Sequence, residues 1–349
     1  MRTENAVNVA QVAEFDEVID VRSPSEFAED HVPAARSMPV LDDAERARVG
    51  TLYKQVSAFE ARKVGAALTA RNIAAHIERE LLDRPKGWRP LVYCWRGGNR
   101  SASMAHVLRE VGWQAATLEG GYRAYRRAVI ADLANLPSLF RWRVVCGRTG
   151  SGKSRLLQAL ETEGAQVLDL EALASHRGSV LGPLPNQPQP PQKWFESLVR
   201  ERLMAFDPAR PVFVEAESRR IGCVLVPETL IESIRGGDCL RLKADLPQRT
   251  ALLKEEYAHL VANADALCTK LALLTSLHGR ERIASWQALA KEGRVDELVA
   301  DLLERHYDPA YRRSTQKNFI RFGAAAVVPL AGIGEEEFTD LARRLAAEG

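Results

Sequence analysis

The chain has 349 residues, 46% of them hydrophobic, with 48 Lys and Arg against 46 Asp and Glu and a net charge of +2. That length exceeds one typical domain and the composition is that of a globular protein; the near-neutral balance excludes a generally basic nucleic-acid binder, so any RNA contact must use local patches. Five cysteines without CxxC spacing exclude a disulfide framework and fit a reducing cytosol, so a cytoplasmic location is expected, with no DNA or membrane partner.

No apolar h-region follows the first residues, and no apolar run is long enough to span a bilayer. The best candidate, "FGAAAVVPLAGIG", is broken by Pro and Gly and reads as a buried strand. Along the first third, "EVIDV" and "PLVYC" read as strands, "ARNIAAHIERELL" and "SASMAHVLREVG" as helices, the latter closed by Gly112, and "AATLEGGY" as a short strand with a turn. A second alternation begins after "ADLANLPSLF". Here "WRVVCG", "AQVLDL", "PVFVEA" and "AAAVVPL" are strands, and "KSRLLQALETEG" and "EEEFTDLARRLAAEG" are helices. The expected fold is therefore α/β, an N-terminal domain over residues 1–131, a linker over 132–141 and a C-terminal domain over 142–349, each a mostly parallel sheet flanked by helices. A helical insertion is expected around 247–303, and "GPLPNQPQPPQ" (182–192) must be a loop.

The first chemical signal is "VYCWRGGNRSASMA". Cys94 ends a strand, and Trp95, Arg96, Gly97, Gly98, Asn99, Arg100 and Ser101 lead into a helix. A thiol at a helix N-terminus sits in a field that stabilises its thiolate, and Arg96 and Arg100 are expected to add to it. The glycines let several N–H groups turn inward as an anion nest. The second signal is "GRTGSGKS": Gly147, Arg148, Thr149, Gly150, Ser151, Gly152, Lys153 and Ser154 match G-x-x-x-x-G-K-[ST] between a strand and a helix, a diphosphate cradle in which Lys153 supplies charge and Ser154 can ligate Mg²⁺. Glu215 and Glu217 follow where an acidic supporting strand belongs, with helix capping or pairing to Arg219 as the plainer alternative. There is no metal-ligand spacing, so any metal would be a Mg²⁺ that accompanies a phosphate; the metal-site expectation is none. His31, His76 and His106 read as structural or surface residues, and Cys146, Cys223, Cys239 and Cys268 as small buried ones.

"VIDVRSPSEFAEDHVPAARSMP" resembles the N-terminal rhodanese signature at Asp20, Arg22, Glu26, Phe27, His31, Pro33 and Ala35, and "LEGGYRAYR" resembles the motif that ends a rhodanese domain. Five residues separate Cys94 from Arg100, the CX5R length shared with phosphatases of related fold. A rhodanese-like domain followed by a P-loop domain, with "YCWRGGNRS", "GRTGSGKS", "QPQPPQKWFE", "VFVEAESRRIG" and "HYDPAY", resembles the tRNA 2-selenouridine synthase family over essentially the whole chain. Trp95 is typical of that family; Pro191 stands where it would have Ser or Thr.

The resemblance implies conversion of wobble 2-thiouridine in tRNA to 2-selenouridine with selenophosphate, by way of S-geranylation with geranyl diphosphate. It implies no tightly bound cofactor, and a supplier of selenophosphate as a partner. It also implies that Cys94 handles selenium while the loop around Lys153 holds the diphosphate. Arg123, Arg126 and Arg127 with Tyr122 and Tyr125, and Arg312, Arg313, Lys317 and Arg321 with Tyr311 and Phe319, are candidate tRNA contacts, since cations interleaved with aromatics suit phosphate contact and base stacking. The sequence leaves open a CX5R phosphatase or arsenate reductase, a P-loop kinase or NTPase with a regulatory rhodanese-like domain, and a sulfur carrier with a nucleotide-binding domain. It also leaves open whether the P-loop ligand is geranyl diphosphate or a nucleotide.

Overall fold

The computed structural model describes residues 5–179, 181–185 and 187–348, except for the side chains of residues 314–317. Two compact units divide between Asp132 and Leu133. Residues 132–141 comprise the end of helix Gly121–Asn135, the 3-10 turn Leu136–Leu139 and the entry to the next strand.

In the first unit, β1 (Ala6–Val7), β2 (Glu17–Asp20), β3 (Arg36–Ser37), β4 (Pro90–Tyr93) and β5 (Ala116–Leu118) form a parallel sheet in the order β1-β5-β4-β2-β3. β4 is buried at every position, which explains its unbroken apolar run: a parallel strand covered on both faces has no solvent side to mark with polar residues. Helix Asn99–Val111 ends at Gly112, whose φ of 107° lets its N–H return to the Arg109 and Leu108 carbonyls. Helix Asp43–Gln55, which the sequence reading did not include, has a capping box from Asp42 and Glu45 but no buried residue. Without an apolar stripe there was no periodicity to find.

In the second unit, β6 (Trp142–Cys146), β7 (Gln166–Leu168), β8 (Val212–Glu215), β11 (Asp238–Lys243) and β12 (Ala326–Pro329) form a parallel sheet in the order β12-β11-β6-β8-β7, with β9 (Arg220–Ile221) and β10 (Val224–Leu225) as an antiparallel hairpin. The tail strand corrects one expectation. β12 is the sheet edge, not a buried strand, and Ala326, Val327 and Pro329 are exposed; an edge is also where a proline is tolerated.

The Pro/Gln loop has a structural task. Gln189 donates to Ala174 O and Ile221 O, both at 3.1 Å, and accepts from Cys223 N–H at 2.8 Å; Gln192 donates to Leu225 O at 2.8 Å and accepts from its N–H at 2.7 Å. Two glutamine amides thus complete the unpaired edges of the β9–β10 hairpin. Pro191 is the N-cap of helix Gln192–Met204 and offers it no side-chain bond, which is the service a Ser or Thr there would supply.

Helices Leu246–Glu256, Ala258–Val261, Ala264–Ala272, Thr275–Lys291 and Val295–Leu302 fill the stretch expected to be helical, and gather a core of their own around Leu267, Leu271, Ile283, Trp286, Leu298 and Leu302. Among the described residues no helix is long and apolar enough to cross a membrane. Trp286 is fully buried, and its indole N–H donates to Asp301 Oδ2 at 2.7 Å. Trp286→Ala should therefore lower stability by about 3–5 kcal/mol through the cavity it leaves. Urea denaturation should show this as a lower midpoint for the second unit's transition.

Candidate functional site

The thiol loop is built on the C-terminal end of β4. Cys94 is 4% exposed. Its Sγ accepts the Gly98 N–H at 3.3 Å, and the buried Ser101 hydroxyl lies 3.2 Å away, within reach also of Gly98 O at 3.1 Å. Burial pushes the thiol up, but the Ser101 hydroxyl and the N–H groups of Ser101, Gly98 and Arg96 outweigh it, so the net position is below the ordinary thiol value. These donors stand at the start of helix Asn99–Val111, where N–H groups have no partner within the helix.

The cations were expected to share this work, and the geometry assigns them differently. Arg100 donates to Glu26 Oε2 at 3.0 Å, and Arg46 reaches the same oxygen at 3.2 Å. Burial raises Glu26, but the hydrogen bond from Arg100 and its charge more than offset that, leaving the carboxyl below its usual range. Arg96, Gly97, Gly98 and Asn99 form the exposed rim, and Trp95 is half-buried with its ring centroid 5.2 Å from that of Tyr122.

The N-terminal signature and the closing "EGGYR" hold this loop from behind. Asp20 and Arg22 form a buried ion pair at 2.6 Å; Arg22 also donates to Asp30 O at 2.6 Å and lies 4.0 Å over the Tyr122 ring. Tyr122 N–H and Arg123 N–H donate to Cys94 O (2.8 Å) and Trp95 O (3.1 Å). Gly121 has a φ of +56°, and a Cβ there would collide with Cys94 O, so no other residue permits this approach. Of the histidines, His31 stacks on Phe27 at 3.8 Å, His76 bonds Pro39 O and Glu80, and His106 is exposed.

The phosphate loop follows β6. Gly152, with φ +79°, starts helix Lys153–Thr162, and a Cβ there would strike the Phe338 ring at 2.5 Å. Lys153 Nζ donates to Gly147 O at 3.1 Å across the loop. The loop is braced from outside: the buried Arg249 donates to Thr149 O at 2.8 Å and to both oxygens of Asp308 at 3.1 and 2.6 Å, and Arg148 reaches Asp308 at 3.2 Å. Thr149, Gly150, Ser151, Gly152, Lys153 and Ser154 line a cleft of about 590 Å³, with His306 and Tyr307 on its wall. The "HYD" of "HYDPAY" is thereby assigned: two residues face the cleft and the third holds the loop.

Four carboxylates gather at this end of the sheet. Glu215 ends β8 opposite Val145, is 2% exposed, and accepts the Glu171 N–H at 3.0 Å through Oε1. Glu171 Oε2 in turn accepts from the Ser154 hydroxyl at 3.3 Å. Glu171, Glu217 and Asp169 line the cleft, while Arg219 pairs with Glu228 instead of these groups. Burial, then repulsion from Glu217, pushes Glu171 well above the ordinary carboxylate range, with Lys153 pulling the other way; burial raises Glu217 also, against Lys153. Sequence reasoning found Glu215 and Glu217 but missed Asp169 and Glu171, although "VLDLE" closes a strand of the same sheet. No group of three or more His, Cys, Asp or Glu among the described residues has the geometry to hold a metal ion alone. Ser154, Glu171 and Glu217 are the oxygen donors that would meet a Mg²⁺ brought in by a diphosphate.

Of the residues expected to meet RNA, Arg123, Arg127, Arg312 and Arg313 are exposed. Arg126 is half-buried and 3.7 Å from Asp30, Arg321 pairs with Asp238 at 2.5 Å, and the Lys317 side chain lies outside the described residues. The interleaved aromatics are a correction. Tyr122, Tyr125 and Phe319 are buried, at 4%, 1% and 4% exposure, the two tyrosines because the spacing of helix Gly121–Asn135 turns them to the core, so they present no face to a base. Cys223 is a second correction: it is exposed in the turn of the β9–β10 hairpin, whereas Cys146, Cys239 and Cys268 are buried.

Comparison with known proteins bears on these two loops together. A rhodanese-like domain model matches residues 4–128, and a model of the tRNA 2-selenouridine synthase AAA domain matches residues 140–277. The tRNA 2-selenouridine synthase of Hydrogenovibrio crunogenus is 34% identical over 336 residues, covering 86% of this chain and 89% of that one. Those of Alcanivorax borkumensis (31%, covering 84% and 88%) and Bdellovibrio bacteriovorus (30%, covering 87% and 90%) are similar over as much of their length. The chain belongs to the tRNA 2-selenouridine synthase family. As a member of it the chain is an enzyme, and the family resemblance read from the two loops and their flanking motifs holds over nearly the whole sequence.

Within this family the thiol loop is the feature whose chemistry is most directly measurable. Ser101→Ala removes the side-chain donor to Sγ and should raise the Cys94 pKa. The thiolate fraction is set by that pKa, so the pH profile of Cys94 alkylation by iodoacetamide should move to higher pH, with the plateau rate little changed. An unmoved profile would mean that the backbone N–H groups alone set the thiolate.

Proposed function

We propose that this member of the tRNA 2-selenouridine synthase family divides its chemistry between the two loops. The P-loop cleft holds geranyl diphosphate, and the thiol loop handles selenophosphate. The observation that supports this reading is that one chain contains two separately built anion cradles, one with a stabilised thiolate at its centre and one with a lysine and no nucleophile.

In the first stage the sulfur of wobble 2-thiouridine attacks C1 of geranyl diphosphate. The C–S bond forms as the C–O bond breaks, and the electron pair leaves with the diphosphate. The contribution asked of the protein is electrostatic: Lys153 and the N–H groups at the start of helix Lys153–Thr162 stabilise charge that builds on the departing oxygens. A Mg²⁺ held with Ser154 would supply further charge on those oxygens. In the second stage the nest of the CX5R loop holds the phosphate end of selenophosphate, and the Cys94 thiolate attacks its phosphorus as the P–Se bond breaks and hydrogen selenide leaves. The C2–Se bond forms as the C2–S bond breaks, geranyl thiolate leaves and takes a proton from solvent, the proton of the selenide passes to N3 of the uridine, and water cleaves the S–P bond to free Cys94 and phosphate. Alkylation comes first because a thiocarbonyl sulfur is a poor leaving group and an alkylated one a better one.

The tRNA is met by exposed cations. Arg312 lines a cleft of about 320 Å³ with Arg148, Arg241 and Lys243, a concentration of positive charge beside the phosphate loop suited to a ribose-phosphate backbone. Nothing in this reading requires base stacking on the buried aromatics.

Nucleoside mass spectrometry on thiolated tRNA, given geranyl diphosphate and selenophosphate, tests the division of labour. Wild type should yield 2-selenouridine. Cys94→Ala should accumulate the geranylated nucleoside. Lys153→Ala should slow geranylation by roughly 100-fold or more; geranylation at the wild-type rate in that variant would contradict the assignment. Independently, replacing Arg312, Arg313 and Arg321 together by Ala should weaken tRNA binding and flatten its salt dependence by roughly 0.7 log units per decade of salt for each phosphate no longer neutralised. Filter retention across a salt series reads both.

A further inference from the structure

The P-loop cleft does not end at its polar wall. Thr149, Leu253, Tyr257 and Tyr307 are shared between it and a second cavity, which enters the core of the helical insertion. The rest of that cavity is lined by Leu260, Leu267, Leu298 and Leu302 and their aliphatic neighbours, with no charged side chain among the described residues. It is also narrow, about 50 Å³ against about 590 Å³ for the cleft.

We propose that this cavity receives the hydrocarbon chain of the P-loop ligand, so that the helical insertion is the device that selects an allylic diphosphate over a nucleotide. This rests on the reading that the cleft around Lys153 holds the diphosphate, and adds where the other end of the molecule goes. A nucleoside carries ring nitrogens, exocyclic groups and ribose hydroxyls, and burying them against leucine and valine leaves each without a hydrogen-bond partner. A prenyl chain has no such groups, and every carbon withdrawn from water favours binding. A flexible chain also threads a narrow space by moving side chains aside, which a rigid purine cannot do.

The placement of the wall residues supports this over a simple packing gap. Val295, Val299 and Leu302 lie on one face of helix Val295–Leu302, and all three line the cavity. Val295 and Val299 are only half-buried, so this face is not simply the lobe's packed interior. The phenol-bearing residues Tyr257 and Tyr307 stand at the junction, where the cavity opens to the cleft. Their rings are apolar enough to flank the chain, and an aromatic face near the junction would favour a carbon that becomes cationic as the diphosphate leaves.

Isothermal titration calorimetry on the full chain with Mg²⁺ tests this, using geranyl diphosphate and inorganic diphosphate as separate ligands. Wild type should bind geranyl diphosphate about tenfold or more tighter than inorganic diphosphate. Equal affinity would overturn the proposal without any variant. Val299→Trp fills the cavity and should abolish that difference while inorganic diphosphate still binds as in wild type, which also reports an intact fold. If Val299→Trp keeps the full preference, the cavity is a packing gap and the proposal fails. Val299→Ala widens the space and should raise the affinity for farnesyl diphosphate relative to geranyl diphosphate; an unchanged ratio again counts against it. Lys153→Ala separates the two readings. It should weaken both ligands, and if it weakens neither, the diphosphate assignment falls whatever the Val299 variants do.

Discussion

A strand that runs directly into a helix leaves backbone N–H groups pointing at the space above the strand, with no partner in the helix to accept them. This protein uses that constraint twice. In the first unit it is β4 and helix Asn99–Val111, in the second β6 and helix Lys153–Thr162. Each is approached so closely that only glycine fits at one place: Gly121, at the start of helix Gly121–Asn135, against the Cys94 carbonyl, and Gly152 against the Phe338 ring. What distinguishes the two is what is placed inside. A cysteine among the N–H donors has its thiolate form favoured; a lysine leaves a positively charged cradle without a nucleophile.

Both cradles are held by buried charge. Arg22 ties Asp20, the Asp30 carbonyl and the Tyr122 ring behind the thiol loop, and Arg249 ties Thr149 to Asp308 behind the phosphate loop. Removing one partner of such a pair strands the other in a poorly solvated place, so these contacts fix position more surely than they add stability. The carboxylates around Lys153 work in the opposite sense. Burial raises both Glu171 and Glu217 above the ordinary carboxylate range, and repulsion from Glu217 raises Glu171 further. A cation or a diphosphate with its metal would change that balance, which links their protonation to ligand arrival.

The loops themselves were readable in the sequence because their chemistry demands particular residues at fixed spacing. The glycines, Cys94, Lys153 and Ser154 cannot be exchanged freely, and the alternation around them gave the sheet. Several features escaped for physical reasons. β11, "DCLRLK", alternates charge with apolar residues and resembles a loop until its neighbours are known, and helix Asp43–Gln55 has no apolar stripe. Exposure was the harder quantity. Tyr122 and Tyr125 among arginines look like a stacking surface, yet the helix turns them inward, and the edge position of β12 depends on sheet order that no local pattern encodes. Glu171 was missed because its partnership with Ser154 exists only once β7 and the phosphate loop occupy the same end of the sheet.

The most direct test of two cradles with separate tasks bypasses the first of them. S-geranylated tRNA, prepared beforehand, would be given with selenophosphate to Lys153→Ala and to Cys94→Ala, and the wobble nucleoside followed by mass spectrometry. The account predicts 2-selenouridine from Lys153→Ala at close to the wild-type rate and none from Cys94→Ala. Loss of selenation in Lys153→Ala, with the fold intact, would show that the phosphate loop serves both stages and would contradict the separation.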